Sequence, residues 1–392
     1  MRDAFTSRVR AGYCRLIVAN PLHPGLPKLI LMVQATCNRF KAEDVRNQWT
    51  RLDQLWNRAG GVNLRTILGP LIGHGSDGDA RRFKLQLEDM SSKVGNRFSI
   101  AWGGLTLTGV RGKDGNVRAL HSQDPIHNSK KGINPLDVAS RRLQLGGFLV
   151  IWEHLCLVMN RFPPDKHGLK AGDKAHFDRQ DFRLVQRVVA PDVRTCLREL
   201  RPEHQTQGTE TWLEVMYMYL TAHFSDTLTV EERVENLACV LSFARLWRNW
   251  VAHSTYNLTD SFLSRQAFEH ICLSCQSAIL KVKLCHELGA ELYLDQSGSD
   301  ACETIFSVFG GCGKILTSQR NYCFNDVLEM AGNQNQMNCY RADPNEETSL
   351  TFRRHRKTEW FLRRNQVWSR DAQAKNIMTL PWTTVGCTTT DT

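Results

Sequence analysis

The stretch PKLILMVQATCNRF (Pro27–Phe40), followed by KAEDVRNQWTRLDQLWNRAGG (Lys41–Gly61) and RTILGPLIGHGSDGDARRF (Arg65–Phe83), decides the fold class. Its first part holds a continuous run of Leu, Ile, Met and Val, the composition of a strand buried on both faces, which predicts β structure over Leu29–Val33. In the second, Val45, Trp49, Leu52, Leu55 and Trp56 recur at helical spacing, Glu43 and Asp44 stand in the first turn, and Gly60–Gly61 ends the pattern. The third returns to an apolar run, Thr66–Ile72, and closes in a turn of Gly, Ser and Asp. A strand, a helix and a second strand form a right-handed crossover with parallel strands, and sites in such folds gather beyond the strands' carboxyl ends. Asp77 stands at that position.

Outward from this unit, SIAWGGLTLTGVRGKDGNVRALHSQDP (Ser99–Pro125) reads as alternating strands with Gly112–Gly115 as a turn, and Asp124 follows the last segment. Beyond Leu136 the pattern becomes helical, over Val138–Met159, Asp178–Leu200, Thr211–Phe224, Val230–Trp250 and Ser261–Leu288. Ser299 or Asp300 then offers a cap for a helix with Glu303 in its first turn and Ile305, Phe306 and Phe309 on its buried side. Past Ala342 the chain is polar, basic and aromatic without periodicity, which predicts a poorly ordered tail. The expected divisions are residues 1–135 for one α/β part, 136–290 for an all-helical block, 291–342 for the continuation of the α/β part, and 343–392 for the tail.

The bulk numbers exclude several classes. With 392 residues, 42% hydrophobic and 9% aromatic, the chain can bury real cores and is not a disordered protein. Its longest apolar runs, at Leu29–Val33 and Gly146–Ile151, are too short to cross a bilayer, and no secretion signal opens the sequence. The 13 cysteines are scattered through apolar helical patterns, so reduced core thiols are expected rather than disulfides. A net charge of +10, with Arg and Lys dense from Arg353 to Lys357 and again at Arg363, Arg364 and Arg370, suits a polyanionic partner. A basic run is also the ordinary dress of a solvated tail.

Three acids could share a site: Asp77 after one strand, Asp124 after another, and Glu303 on a helix past the helical block. Such a carboxylate set is what Mg²⁺ or Mn²⁺ requires, because hard ions take oxygen ligands and can clamp both the attacking and the leaving oxygen in phosphoryl transfer. An Asp in a Gly-rich turn serves equally well as an Asx-turn or capping residue. Cys272-x-x-Cys275 with Cys285–His286 has ligand-like spacing but lies inside a helical pattern, where buried thiols are the simpler reading. Phe243, Trp247 and Trp250 with Arg245, Arg248 and His253 could stack on bases, against the simpler reading of core packing. His121 is a loop histidine beside the second strand segment.

GHGSDGDARR (Gly73–Arg82), QDPIHNSKK (Gln123–Lys131), DRQDF (Asp178–Phe182) and GSDACETIFSVFGG (Gly298–Gly311), in this order, resemble cut-and-paste DDE transposases of the P-element, Kolobok-like and THAP-domain type. The resemblance spans about Ile17 to Asn338. It implies a partial RNase H-like core, a mixed sheet with flanking helices, interrupted by a large all-helical insertion. It further implies Mg²⁺-dependent cleavage and strand transfer on DNA, and a nuclear location, and it allows a homo-oligomer. By the resemblance Asp77 is the second catalytic acid, with Asp79 as its rival, and Glu303 is the third. Asp124 and His127 would line the same cleft, with Asp124 on the metal, while His127, Lys130, Lys131, Arg81 and Arg82 would contact nucleic acid.

The resemblance also carries a departure. The family's first acid belongs to a strand upstream of Leu29–Val33, where only a short basic segment precedes, and Asp3 lies in no apolar strand. No zinc-coordinating module precedes Cys37. The expectation is therefore a truncated, decayed or domesticated copy with its first acid missing, and whether it is an enzyme is open. The alternatives are a non-catalytic DNA-binding or interaction module and an unrelated α/β phosphohydrolase that uses only the first two motifs.

Overall fold

Two aliphatic runs near the start of the chain pair with each other: β1 (Tyr13–Ala19) and β2 (Leu29–Thr36) form an antiparallel ladder with a bulge between Ile17 and Val18. The computed structural model describes residues 13–21, 26–36, 41–56, 65, 69, 71–76, 80–91, 97–102, 104–111, 117–118, 122–175, 178–290, 293–298, 302–303, 305 and 324–342. The strand expected at Leu29–Val33 is present and longer, and its partner β1 lies where the sequence suggests only a basic segment. The expected helix follows as α1 (Ala42–Trp56), which buries Val45, Leu52 and Trp56.

The expected second strand over Thr66–Ile72 is not formed in its described part. Gly69 takes φ 78° and Leu71 and Ile72 are in no strand; Thr66–Leu68 and Pro70 lie outside the described residues. A left-handed glycine cannot continue a ladder, and proline has no N–H to give one. The strand instead begins later, as β3 (Gly75–Ser76), and it pairs in parallel with β7 (Ser122–Gln123), not with β2. Between them lie α2 (Ala80–Ser91) and an antiparallel sheet of β4 (Arg97–Trp102), β5 (Leu105–Arg111) and β6 (Val117–Arg118). The β5–β6 pairing is the one expected across Gly112–Gly115, while Gly104, at φ 76°, stands at the turn that adds β4. Helix α3 (Pro125–Ile133) leaves directly from β7.

A second expectation is corrected at residues 138–159. The helix begins only at Glu153, because Leu143–Leu145 (β8) and Phe148–Val150 (β9) form a hairpin. Gly146 and Gly147, at φ 60° and 89°, supply the two left-handed residues of a two-residue hairpin turn. Helices α4 (Glu153–Arg161) and α5 (Pro164–His167) come next. The helix expected over Asp178–Leu200 is two, α6 (Phe182–Val188) and α7 (Pro191–His204), broken where Pro191 forbids continuation. Three of the remaining helices are as read, with shifted ends: α8 (Gln207–Phe224), α9 (Val230–His253) and α11 (Arg265–Leu288), the one-turn α10 (Leu258–Ser261) standing apart before the last. Thr229 and Glu232 close a capping box at the start of α9. A final helix, α12 (Phe324–Ala342), was not foreseen. Residues 343–392, read as a poorly ordered tail, lie outside the described residues.

The described architecture is thus mostly helical with small sheets of mixed pairing. One apolar cluster joins the helices to Phe98, Leu105 and Leu107 of the β4–β5 sheet and to Ile126 and Ile133 of α3. At its centre Trp212 of α8 is fully buried beside Phe243 and Trp247, and its indole N–H donates to the Gly132 carbonyl at 2.9 Å. A second, smaller cluster gathers Ile30 of β2, Ile305 and Ala331 of α12. Here Asn335 reads the β2 backbone with both ends of its amide. Its Oδ1 accepts from Ile30 N at 2.7 Å and its Nδ2 donates to Ile30 O at 2.9 Å, while Asn338 Nδ2 donates to Lys28 O. No helix among the described residues is long and apolar enough to cross a membrane.

Two stability predictions follow from the core. A Cβ at Gly208, in the first turn of α8, would lie 2.6 Å from the Leu149 carbonyl oxygen and 3.0 Å from atoms of Phe148. The helix-propensity gain of about 1 kcal/mol is outweighed by an overpacking cost of about 1–3 kcal/mol against backbone that cannot swing away. Gly208→Ala should lower the unfolding free energy, whereas Gly172→Ala, with open space around it, should not; thermal and urea unfolding of both variants checks this. The second concerns acid. His223 and His270 are buried in the helical core, and burial pushes their imidazoles down to about 4 and about 3. The unfolded chain takes up protons at these positions as pH falls below about 6.5 while the folded chain does not, so stability present above that pH drains away toward 4. Between pH 6.5 and 5 each should cost about 2 kcal/mol. In His223→Gln or His270→Gln that pH-dependent loss should shrink by the same amount, and an unchanged loss would sink the assignment.

Candidate metal centre

The site is built on the β3–β7 pair. Ser122 N donates to His74 O at 2.8 Å and Asp124 N to Ser76 O at 2.9 Å, so two parallel strands run out side by side. Asp124 leaves the end of one. Asp77 follows Ser76 in the chain at the end of the other; it and Asp79 lie outside the described residues. Asp124 is 2% exposed and caps α3, its Oδ1 accepting from Ile126 N at 2.9 Å, with Pro125 at the first helical position. Its Oδ2 lies 2.7 Å from His127 Nδ1, one turn along the helix. An ionised carboxylate only accepts, so in this bond Nδ1 is the donor.

Glu303 comes to this pair from the far side of the helical region. One ligand atom from each of Asp124, His127 and Glu303 lies within 4.8 Å of the other two. Oxygens on opposite sides of a Mg²⁺ stand about 4.2 Å apart and those of a Ca²⁺ about 5 Å, so the three groups fit around one ion with a small side-chain adjustment. Two carboxylates from different elements with an imidazole between them suit a divalent cation, and the His127–Asp124 bond resembles the outer hydrogen bonds that orient metal-binding side chains. Glu303 itself is exposed; Cys302, Glu303 and Ile305 are helical, and Ile305 is 3% exposed in the cluster with Ile30 and Ala331. That anchor two residues away fixes where Glu303 stands.

Behind the acids, polar side chains of the helices grip β7 and α3. Lys281 Nζ donates to Ser122 Oγ at 3.0 Å, Ser274 Oγ to Gln123 O at 3.3 Å, and Gln123 Nε2 to Gln86 Oε1 of α2 at 2.6 Å. Asn128 Nδ2 reaches Tyr219 Oη at 3.1 Å and His270 O at 3.3 Å, and the Tyr219 hydroxyl donates to Ser274 Oγ at 2.9 Å. Burial pushes the Lys281 amine down to about 8. Sequence reading passed over Gln86, Tyr219, Ser274 and Lys281. Their signal was polar residues at buried positions of helical patterns: Ser274 and Lys281 are about two turns apart on a buried face of α11 that also carries His270 and Ser277.

The remaining expected site residues are placed as follows. Lys130 is buried with its amine on Gln180 Oε1 at 3.1 Å, which brings the QDPIHNSKK and DRQDF motifs together. Lys131 Nζ lies 2.9 Å from His270 Nδ1. Arg82 of α2 donates to Gly75 O at 3.0 Å and lies 4.5 Å over the Trp49 ring, so it flanks β3, and Arg81 precedes it on the same helix. Cys275 and Cys285 are buried and Cys272 half-buried; burial pushes the Cys272 and Cys285 thiols up to about 12 and 11, as expected of inert core thiols. His121 lies outside the described residues.

No protein-family model matches the chain, and no curated protein does. Among solved structures, the fold is similar to that of the Drosophila P element transposase strand transfer complex, with a TM-score of 0.53 and 11% identity over 81% of this chain and 68% of that one. At that identity the likeness is one of fold: this chain shares the architecture of a P-element-like transposase.

Proposed function

We propose that the chain is a transposase-type DNA-processing protein in which Asp77, Asp124 and Glu303 together hold Mg²⁺ or Mn²⁺ for phosphodiester cleavage and strand transfer. The observation that carries this reading is the meeting of Asp124, His127 and Glu303 within 4.8 Å. On this reading the core is RNase H-like, made of residues 1–135 and 291–342, and residues 136–290 are its helical insertion.

The expectation of a missing first acid also changes. It rested on placing the first acidic strand ahead of Leu29. The parallel pairing of β3 with β7 supports a different order, with Asp77 and Asp124 as acids at adjacent strand ends and Glu303 as the third. On that order no acid from an upstream strand is needed.

A bound divalent ion would polarise the scissile phosphate and activate the attacking water or DNA 3′-hydroxyl. The chain's own side chains do the rest. His127 holds the Asp124 carboxylate by its Oδ2, the Ile126 N–H holds Oδ1, and Ile305 in its apolar cluster steadies Glu303. Arg81 and Arg82 on α2, beside β3, supply positive charge for the DNA backbone. The partner is DNA and the location nuclear.

Calorimetric titration of Mn²⁺ into the full chain tests this. Saturable binding is expected, weakened roughly 10- to 100-fold or more in Asp124→Asn, Glu303→Gln and Asp77→Asn, less in His127→Gln, and unchanged in Asp79→Asn. Binding indifferent to Asp124→Asn and Glu303→Gln would leave a non-catalytic DNA-binding module as the surviving reading.

A further inference from the structure

Helix α9 ends in a surface that the acid cluster does not use. Trp247 is 2% exposed and accounts for the packing of this helix on Trp212 and Phe262. Its neighbours do not join it. Leu246 is 69% exposed, Trp250 38% and Tyr256 37%, and the Trp250 and Tyr256 rings lie 5.7 Å apart, tilted by 43°. An apolar step and an aromatic pair facing solvent are unusual on a helix whose core contacts are already made.

The charge around them is mostly positive. Between Glu235 and Asp260 the sequence has no acidic residue, while Arg245, Arg248 and His253 are all exposed. Among the described residues neither Arg245 nor Arg248 makes an ion pair; Arg248 lies 5.2 Å over the Phe268 ring of α11, on a different flank of α9 from Trp250 two residues further on. On the adjoining elements, Arg141 donates to Thr259 O, three residues from Tyr256, and Arg142 lies next to it, 3.9 Å from Glu153. Of the acids on the adjoining helices, Glu269 of α11 is bonded to Arg265 and Asp260 of α10 is exposed. Exposed aromatics on a helix end that carries more arginine than carboxylate match the chemistry of single-stranded nucleic acid: bases stack on the rings and the phosphates along the strand meet guanidinium groups.

We propose that the end of α9, through Trp250 and Tyr256 with Arg245 and Arg248, binds single-stranded nucleic acid. This face is independent of the metal reading, because none of its residues belongs to β7, α3 or the Glu303 turn.

Fluorescence anisotropy of a labelled oligothymidylate of about 16 nucleotides, titrated with the full chain, tests it. Trp250→Ala and Tyr256→Ala should each weaken binding on the order of ten-fold or more while Trp250→Phe keeps most of it, and Arg245→Gln with Arg248→Gln should flatten the log–log salt dependence by about 1.4 in slope. Both positions are exposed, so the variants should melt like the wild type, and Asp124→Asn with Glu303→Gln should bind the strand unchanged. Three outcomes overturn the proposal: Ala variants that bind the strand as well as the wild type does; a duplex of equal length that binds as tightly and with the same sensitivity to Trp250→Ala; and sedimentation in which Trp250→Ala dissolves a dimer while strand binding stays intact, which assigns the face to a second copy of this chain.

Discussion

A carboxylate sealed from water must find partners or give up its charge, and Asp124 is where this chain meets that constraint. A buried ionised acid without hydrogen bonds would cost several kcal/mol. Asp124 is satisfied locally: one oxygen closes the first turn of α3, the other holds His127, and its backbone N–H completes the parallel pairing with β3. One residue therefore fixes the end of a strand, the start of a helix and the orientation of an imidazole. The helical region then acts as a brace. Trp212, Tyr219, Ser274 and Lys281 do not approach a metal, yet each holds the segment between Ser122 and Ile133 from behind.

What the sequence made legible follows what periodicity can carry. Long amphipathic helices repeat their signal over many turns, so α1, α8, α9 and α11 were readable to within a few residues. Strands of two or three residues have no period to read. β3 is only Gly75–Ser76, and β8 and β9 were absorbed into a helix because Leu143–Val150 is apolar whichever way it folds; the only contrary signal was Gly146–Gly147. β1 was hidden because its partner could not be known. The three acids were legible as residue types after turns, but their order of assembly was not, since that depends on β3 pairing with β7 across a whole sheet of intervening chain.

The polar side chains that grip the strands were the least legible. Lys281 and Ser274 look like interruptions of a helix's apolar face until the strand they serve is in view, and Asn335 looks like an ordinary residue of a polar helix. Ser274 and Asn335 each replace a hydrogen bond that a wider sheet would have supplied from backbone, at Gln123 and Ile30, while Lys281 holds the Ser122 hydroxyl.

The bond between Asn335 and Ile30 joins positions 305 residues apart. On a ribosome adding about 5–20 residues each second, the amide that completes this edge of β2 is made roughly 15–60 s after the strand itself. During that interval the β1–β2 hairpin has to wait in the company of its own residues, and chaperones have a defined segment to shield. The third acid's anchor, Ile305, packs between the same early strand and the same late helix. The helical region can therefore mature first during synthesis, and the acid cluster is completed only after Phe324–Ala342 has been made, so a shorter nascent chain carries no assembled site.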